Sequence, residues 1–146
     1  MDEWRKTNWY KRIRVIEKRG GHIEMGSGGY INPGSHLRAI EANIIIGDDV
    51  RISFDVFMIT NAWSAMDEGM SKDSAKDIII GDNCEICQGA KIRGGVTIGN
   101  YALVAMGSVV LDDVPPFHMV AGVPAQDKGL RRDHKEILRR IGKESL

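Results

Sequence analysis

No run of eighteen apolar residues occurs anywhere in this chain, so no segment is long enough to cross a membrane as a helix. The opening residues, MDEWRKTNWYKR, lack the apolar centre of a secretion signal, and a cytosolic protein is expected. Neither charge is in excess. Twenty Lys and Arg stand against twenty Asp and Glu, which argues against bulk electrostatic attraction to nucleic acid. Proline is scarce, four residues against seventeen glycines, a balance that suits many tight corners. Cysteine is scarcer still. Cys84 and Cys87 form one CxxC, a spacing that invites a redox or zinc reading, but no second CxxC and no suitable histidines accompany it. The length, 146 residues, leaves room for one domain.

What the chain does have is a beat of six: an aliphatic residue, three variable residues, then a small one. From residue 80 to 115 the aliphatic positions are Ile80, Ile86, Ile92, Ile98, Val104 and Val110. Four residues after each come Cys84, Ala90, Val96, Ala102, Ser108 and Val114. The beat also runs through Ile46, Ile52 and Met58, and more loosely through Met25, Ile31 and Leu37. A period of six matches neither the 3.6 of a helix nor the 2 of an alternating strand. Taken in threes it predicts short parallel strands joined by tight turns, wound into a triangular coil of eighteen residues, with aliphatic residues inside the flat sides and small ones inside the corners. Four coils are expected, with three extra residues at 43–45 and sixteen at 64–79, the latter as a projecting loop. In this scheme Cys84 is a small inward corner residue and Cys87 points elsewhere, so both cysteines read as structural.

The ends divide the chain further. Residues 1–22 are expected to form an N-terminal cap, with a strand at Arg12–Ile16 and with Trp4, Trp9 and Tyr10 burying the cap or a subunit contact. Residues 23–128 form the repeat body. Over 129–146, Leu130, His134, Ile137, Leu138 and Ile141 share one helical face, which predicts a short docking helix with a basic outer side.

The run IGDNCEI, followed by GVTIGNYALVAMGSVVLDDVPP and VAGVPA, resembles the hexapeptide-repeat acyltransferases, over roughly residues 23–128. The likeness is to the sugar and polysaccharide-biosynthesis acetyltransferases and to the maltose, galactoside and xenobiotic enzymes. It implies an all-β fold, a left-handed parallel β-helix, assembled as a homotrimer with sites between subunits. It also implies acetyl-CoA as co-substrate and a sugar-like small acceptor as partner. The handedness comes from the resemblance, since ordinary parallel crossovers are right-handed.

One departure is chemically serious. In such enzymes a histidine takes the proton of the acceptor hydroxyl as that oxygen attacks the thioester, a role that suits an imidazole at neutral pH. Here the matching position is Trp63, whose indole N–H is a donor only. Glu85 and His118 are the candidate replacements, and an amine acceptor entering deprotonated would need no base. Asn61, Trp63 and Glu85 are the expected acceptor pocket, with Trp63 as a stacking wall. The resemblance places pantetheine near Gln88 and Met106, and Lys128 and Arg131 by the CoA phosphates. Two other readings stay open: a trimeric scaffold that has lost the chemistry, and a relative of the γ-class carbonic anhydrases, which needs three converging histidines where this chain has four scattered ones.

Overall fold

The computed structural model describes residues 3–6, 12–61 and 75–146. A 3-10 turn, Glu3–Lys6, comes first. Strands β1 (Arg14–Lys18), β2 (Ile23–Met25), β3 (Tyr30–Ile31), β4 (His36–Ile40) and β5 (Ile44–Ile46) follow. Next are β6 (Arg51–Ile52), β7 (Phe57–Ile59), β8 (Ile78–Ile80), β9 (Glu85–Ile86) and β10 (Lys91–Arg93). The last strands are β11 (Thr97–Ile98), β12 (Leu103–Val104), β13 (Val109–Val110), β14 (His118–Gly122) and β15 (Ala125–Leu130), before a helix α1 (His134–Arg140). The protein is thus mostly β, with one short C-terminal helix. That helix is too short to cross a membrane.

From β1 to β13 every third strand falls in the same sheet. Sheet A is ordered β1-β4-β7-β10-β13, sheet B β11-β8-β5-β2, and sheet C β15-β14-β12-β9-β6-β3. All pairings are parallel except β14 with β15. The chain visits B, then C, then A, and turns a corner between each.

The inward residues form ladders: Ile31, Ile52, Ile86, Val104 and Val120 in sheet C, and Leu37, Met58, Ile92 and Val110 in sheet A, all buried. Burying one such side chain contributes roughly 1.5–3 kcal/mol. Inside the corners only small groups fit. Val50, Cys84 and Ala102 stack at the B–C corner, and Ser35, Val56, Ala90 and Ser108 at the C–A corner, all fully buried or nearly so. Ser35 avoids an unpaired hydroxyl by donating to the Ser53 carbonyl at 3.0 Å and accepting from Val56 N at 3.2 Å.

A column of Asx side chains locks the B–C corner. Asp48 Oδ1 accepts from Ser27 N, Asp82 Oδ1 from Asp48 N, and Asn100 Oδ1 from Asp82 N, each at 2.8–2.9 Å. This explains the glycine of the Ile-Gly-Asp units at 46–48 and 80–82. A Cβ on Gly81 would sit 2.2 Å from Asn100 Oδ1, and one on Gly47 the same distance from Asp82 Oδ1.

The extra residues lie at one corner. Partners in the column are separated by 21, 34 and 18 residues. Both expansions fall where sheet A passes to sheet B, after β4 and after β7. Ile44 and Ile45 belong to β5, so the three extra residues precede 43–45 and sit in a lengthened β4 with its turn at Glu41-Ala42. Ile78 and Ile79 belong to β8 and so lie outside the inserted segment; residues 62–74, most of the expected loop, lie outside the described residues.

The ends also differ from expectation. β1 pairs in register with β4 as the edge strand of sheet A, so the strand expected at Arg12–Ile16 runs instead over Arg14–Lys18 at the open end of the coil. Trp4 is buried against the core, with the Arg5 guanidinium 4.5 Å from its ring centre and bonded to Glu17 at 2.6 Å; Trp9 and Tyr10 lie outside the described residues. At the C-terminus the helix occupies only His134–Arg140, because 129–130 complete β15.

Two glycine substitutions separate steric from conformational cost. Gly107→Ala meets open space at φ +71 and is expected to cost about 1 kcal/mol. Gly81→Ala drives a methyl into the Asx column and is expected to cost about 3 kcal/mol. Urea unfolding of both variants checks the order; equal losses would remove the column from the account of the corner.

Candidate functional site

Glu85 opens β9 on the outer side of sheet C, just past the B–C corner. Its Oε1 accepts from Arg51 Nη2 at 2.9 Å and from Arg131 Nη2 at 2.7 Å. Arg131 is buried, at 4% exposure. Its Nε and Nη2 also donate to the two oxygens of Asp133 at 2.6 and 2.9 Å, and Nη1 donates to the Tyr101 carbonyl at 3.0 Å. Burial pulls the Arg131 guanidinium down, but the bonds to Asp133 and Glu85 hold it above its ordinary value. The bond from Arg131 holds the Asp133 carboxyl below its own.

The consequence is a clamp. A buried cation is tolerated only when its donors are met, and here the coil supplies Glu85 and Tyr101 while the C-terminal segment supplies Asp133. Four of Arg131's five N–H donors are engaged. Two sequence expectations change accordingly. Arg131 is not open to a CoA phosphate, and Glu85 anchors the C-terminal segment instead of standing free as a base.

His118 begins β14. Its Nδ1 lies 2.8 Å from both carboxylate oxygens of Asp127 on β15, and Gly129 N donates to the same carboxylate at 2.7 Å. The Gly129 N–H, and after it His118, lower the Asp127 carboxyl from its ordinary value. A carboxylate on Nδ1 fixes the ring and leaves Nε2 as the second nitrogen. Lys128 stands exposed on the same strand.

Gln88 and Met106 come together at the C–A corner, where the Gln88 carbonyl accepts from Gly107 N at 2.9 Å. Met106 is 73% exposed there. Asn61 is half-buried at the A–B corner, directly after the buried Thr60, whose hydroxyl donates to the Ile40 carbonyl at 2.8 Å. Trp63 lies outside the described residues. Glu85, the Gln88–Met106 pair and Asn61 therefore occupy three different corners, and His118 and Lys128 lie on the β14–β15 hairpin.

The two cysteines have separate surroundings. Cys84 is buried and its thiol donates to the Gly99 carbonyl at 3.0 Å; burial pushes it up to about 11. Burial also raises the half-buried Cys87. Both are free thiols, and among the described residues no three His, Cys, Asp or Glu side chains gather as a metal would require.

The bacterial transferase hexapeptide (six repeats) family matches residues 77–112. A serine acetyltransferase of Buchnera aphidicola is 35% identical over 98 residues, covering 66% of this chain and 37% of that protein. The galactoside O-acetyltransferase of Escherichia coli is 31% identical over 110 residues, covering 73% of this chain and 53% of that one. Among solved structures, a hexapeptide-repeat containing acetyltransferase of Vibrio cholerae, complexed with acetyl coenzyme A, is 30% identical. It superposes with a TM-score of 0.66 over 83% of this chain and 70% of its own. The chain spans between about a third and a half of the length of these two curated relatives.

Two measurements test these environments. Neither thiol is expected to react with a disulfide reagent at pH 7 in the folded protein, and both should react once it is denatured, because the thiolate is the nucleophile. Fast native labelling would revive a redox role for the CxxC. For the clamp, the Asp133 carboxyl is depressed in the folded state, so its contribution is complete above the ordinary Asp value of about 4 and is lost as pH falls below it. Protection factors across 134–140, referred to the intrinsic exchange rate at each pH, should fall below about pH 4 while those of the coil amides hold. Arg131→Met should show the lowered protection already at pH 7.

Proposed function

The chain belongs to the hexapeptide-repeat acyltransferase family, and from that premise we propose that it transfers an acetyl group from acetyl-CoA to a hydroxyl or amino group of a small, sugar-like acceptor. The observation that carries this reading is the likeness to the acetyl-CoA-bound Vibrio cholerae acetyltransferase, at 30% identity over 70% of that chain. The three parallel sheets are read as a left-handed β-helix of about four coils, and the active form as a homotrimer. Asn61 at the A–B corner and Glu85 at the B–C corner belong to one acceptor pocket only if neighbouring copies bring those corners together. The ring of Trp63 would wall that pocket.

In the reaction the acceptor's oxygen or nitrogen attacks the acetyl carbonyl, the new C–O or C–N bond forms, and the C–S bond breaks. The proton lost by the acceptor finally reaches the departing thiolate. Of the two candidate bases, His118 is favoured, because Asp127 holds one ring nitrogen and leaves the other to accept a proton. Glu85 already carries two guanidinium contacts. Gln88 and Met106 offer a corner along which pantetheine would lie, and Lys128 an exposed cation for a CoA phosphate.

The second reading is a trimeric scaffold without chemistry. It is favoured by tryptophan at position 63, since an indole supplies a donor and no base.

Calorimetry with acetyl-CoA and a thiol-release assay with galactosides, amino sugars and serine separate the two. Binding well below millimolar, together with release dependent on one acceptor, is expected. His118→Ala should then lower kcat by about 10²–10⁴ with acetyl-CoA binding unchanged. No binding of acetyl-CoA at millimolar concentration, or no release with any acceptor, leaves the scaffold. A monomer by light scattering at micromolar concentration would refute the shared pocket.

A further inference from the structure

Between the B–C corner and helix α1 lies a cleft of about 300 Å³ whose lining includes Glu85, the one residue it shares with the proposed acceptor pocket. The clamp forms its floor. Glu85 and Asp133 are satisfied there by Arg131, so neither carboxylate is short of a cation. The walls are different. Arg51 projects from the coil, 54% exposed, and spends one N–H on Glu85. Arg140 projects from the helix on the opposite side, 74% exposed, its only carboxylate contact among the described residues a 3.4 Å approach of Nε to Glu136. Apolar surface completes the lining. Ile137 and Ile141 come from the helix end, and the Tyr101 ring, stacked on Phe117 at 4.8 Å, from the corner.

The charge balance of this lining is uneven. Three guanidiniums meet two carboxylates, and most of the donors left unspent belong to Arg51 and Arg140, which line the cleft from the coil and from the helix. Planar guanidinium forks match carboxylate and phosphate oxygens in pairs. A patch of aromatic and aliphatic surface beside such a fork selects ligands with an apolar arm. We propose that this cleft is a second small-molecule site, which takes an organic anion, a carboxylate or phosphate monoester on a ring-sized apolar group, between Arg51 and Arg140. Because one wall is the coil and the other the helix, such a ligand also ties the C-terminal segment down.

The proposal needs no acetyl transfer and is tested by binding alone, although Glu85 also belongs to the proposed acceptor pocket. Phenyl phosphate and benzoate are titrated into the full chain by calorimetry, beside inorganic phosphate and phenol. At least one of the two aromatic anions should bind tenfold or more tightly than either inorganic phosphate or phenol, and the stronger of the pair names the head group. Arg140→Gln, on an exposed helix position, should weaken that binding at least tenfold with melting unchanged, and Arg51→Gln should do the same while Arg131 still holds Glu85. Amide exchange at 134–140 should slow on binding. Equal affinity for the aromatic anions and inorganic phosphate overturns the proposal, as does indifference to Arg140→Gln. Displacement of the anion by CoA overturns it too, by making the cleft part of the co-substrate's site.

Discussion

A rung of two or three residues cannot satisfy its own backbone. Each amide must meet a carbonyl one coil away, as Arg51 N meets Cys84 O and Glu85 N meets Ala102 O at 2.9 and 3.0 Å. Buried main-chain groups left unpaired are costly, so this requirement governs everything else. It fixes the number of residues between successive visits to a sheet and stacks like residues on like. It also demands a corner that turns within a few residues. Left-handed backbone at Asp49, Asn83 and Tyr101, one above another, meets that demand at the B–C corner. The Asx side chains extend the same logic by pairing an amide the ladder itself does not reach.

Much of this was legible in the sequence because period and geometry coincide: six residues make a side and eighteen a coil, so burial at Ile80, Ile86 and Ile92 followed from spacing alone. The exact seat of the extra residues was not legible. A break in the beat says how many residues are added between Leu37 and Ile46, but an isoleucine run reads equally well as an insertion or as the strand that it is. Strand β15 was missed because AQDKGL carries no alternating apolar signal. Its partner strand defines it.

The candidate site was less legible than the fold, for a related reason. Charged side chains find partners through tertiary proximity, which a repeat pattern does not encode. Arg131 reaches Glu85 across 46 residues, and nothing in either neighbourhood marks the pair. Seen in the sequence, Glu85 is an unpaired acid and Arg131 one of several surface cations. In the folded chain they are a buried tie. His118 gained its partner in the same way, through a hairpin that brings Asp127 across from it.

Departures from the eighteen-residue interval, including a final shortening to 16, all fall on the A–B corner, and the other two corners keep count. A rack whose rungs are stacked in register tolerates added length only where the added chain can leave and return at the same rung without moving its neighbours. At the B–C corner a single inserted residue would take an Asx oxygen out of reach of its amide and reverse the inward side of every later rung. The A–B corner is therefore the graft point of this architecture. Loops can be exchanged there, and recognition altered, while the ladders above and below keep their register.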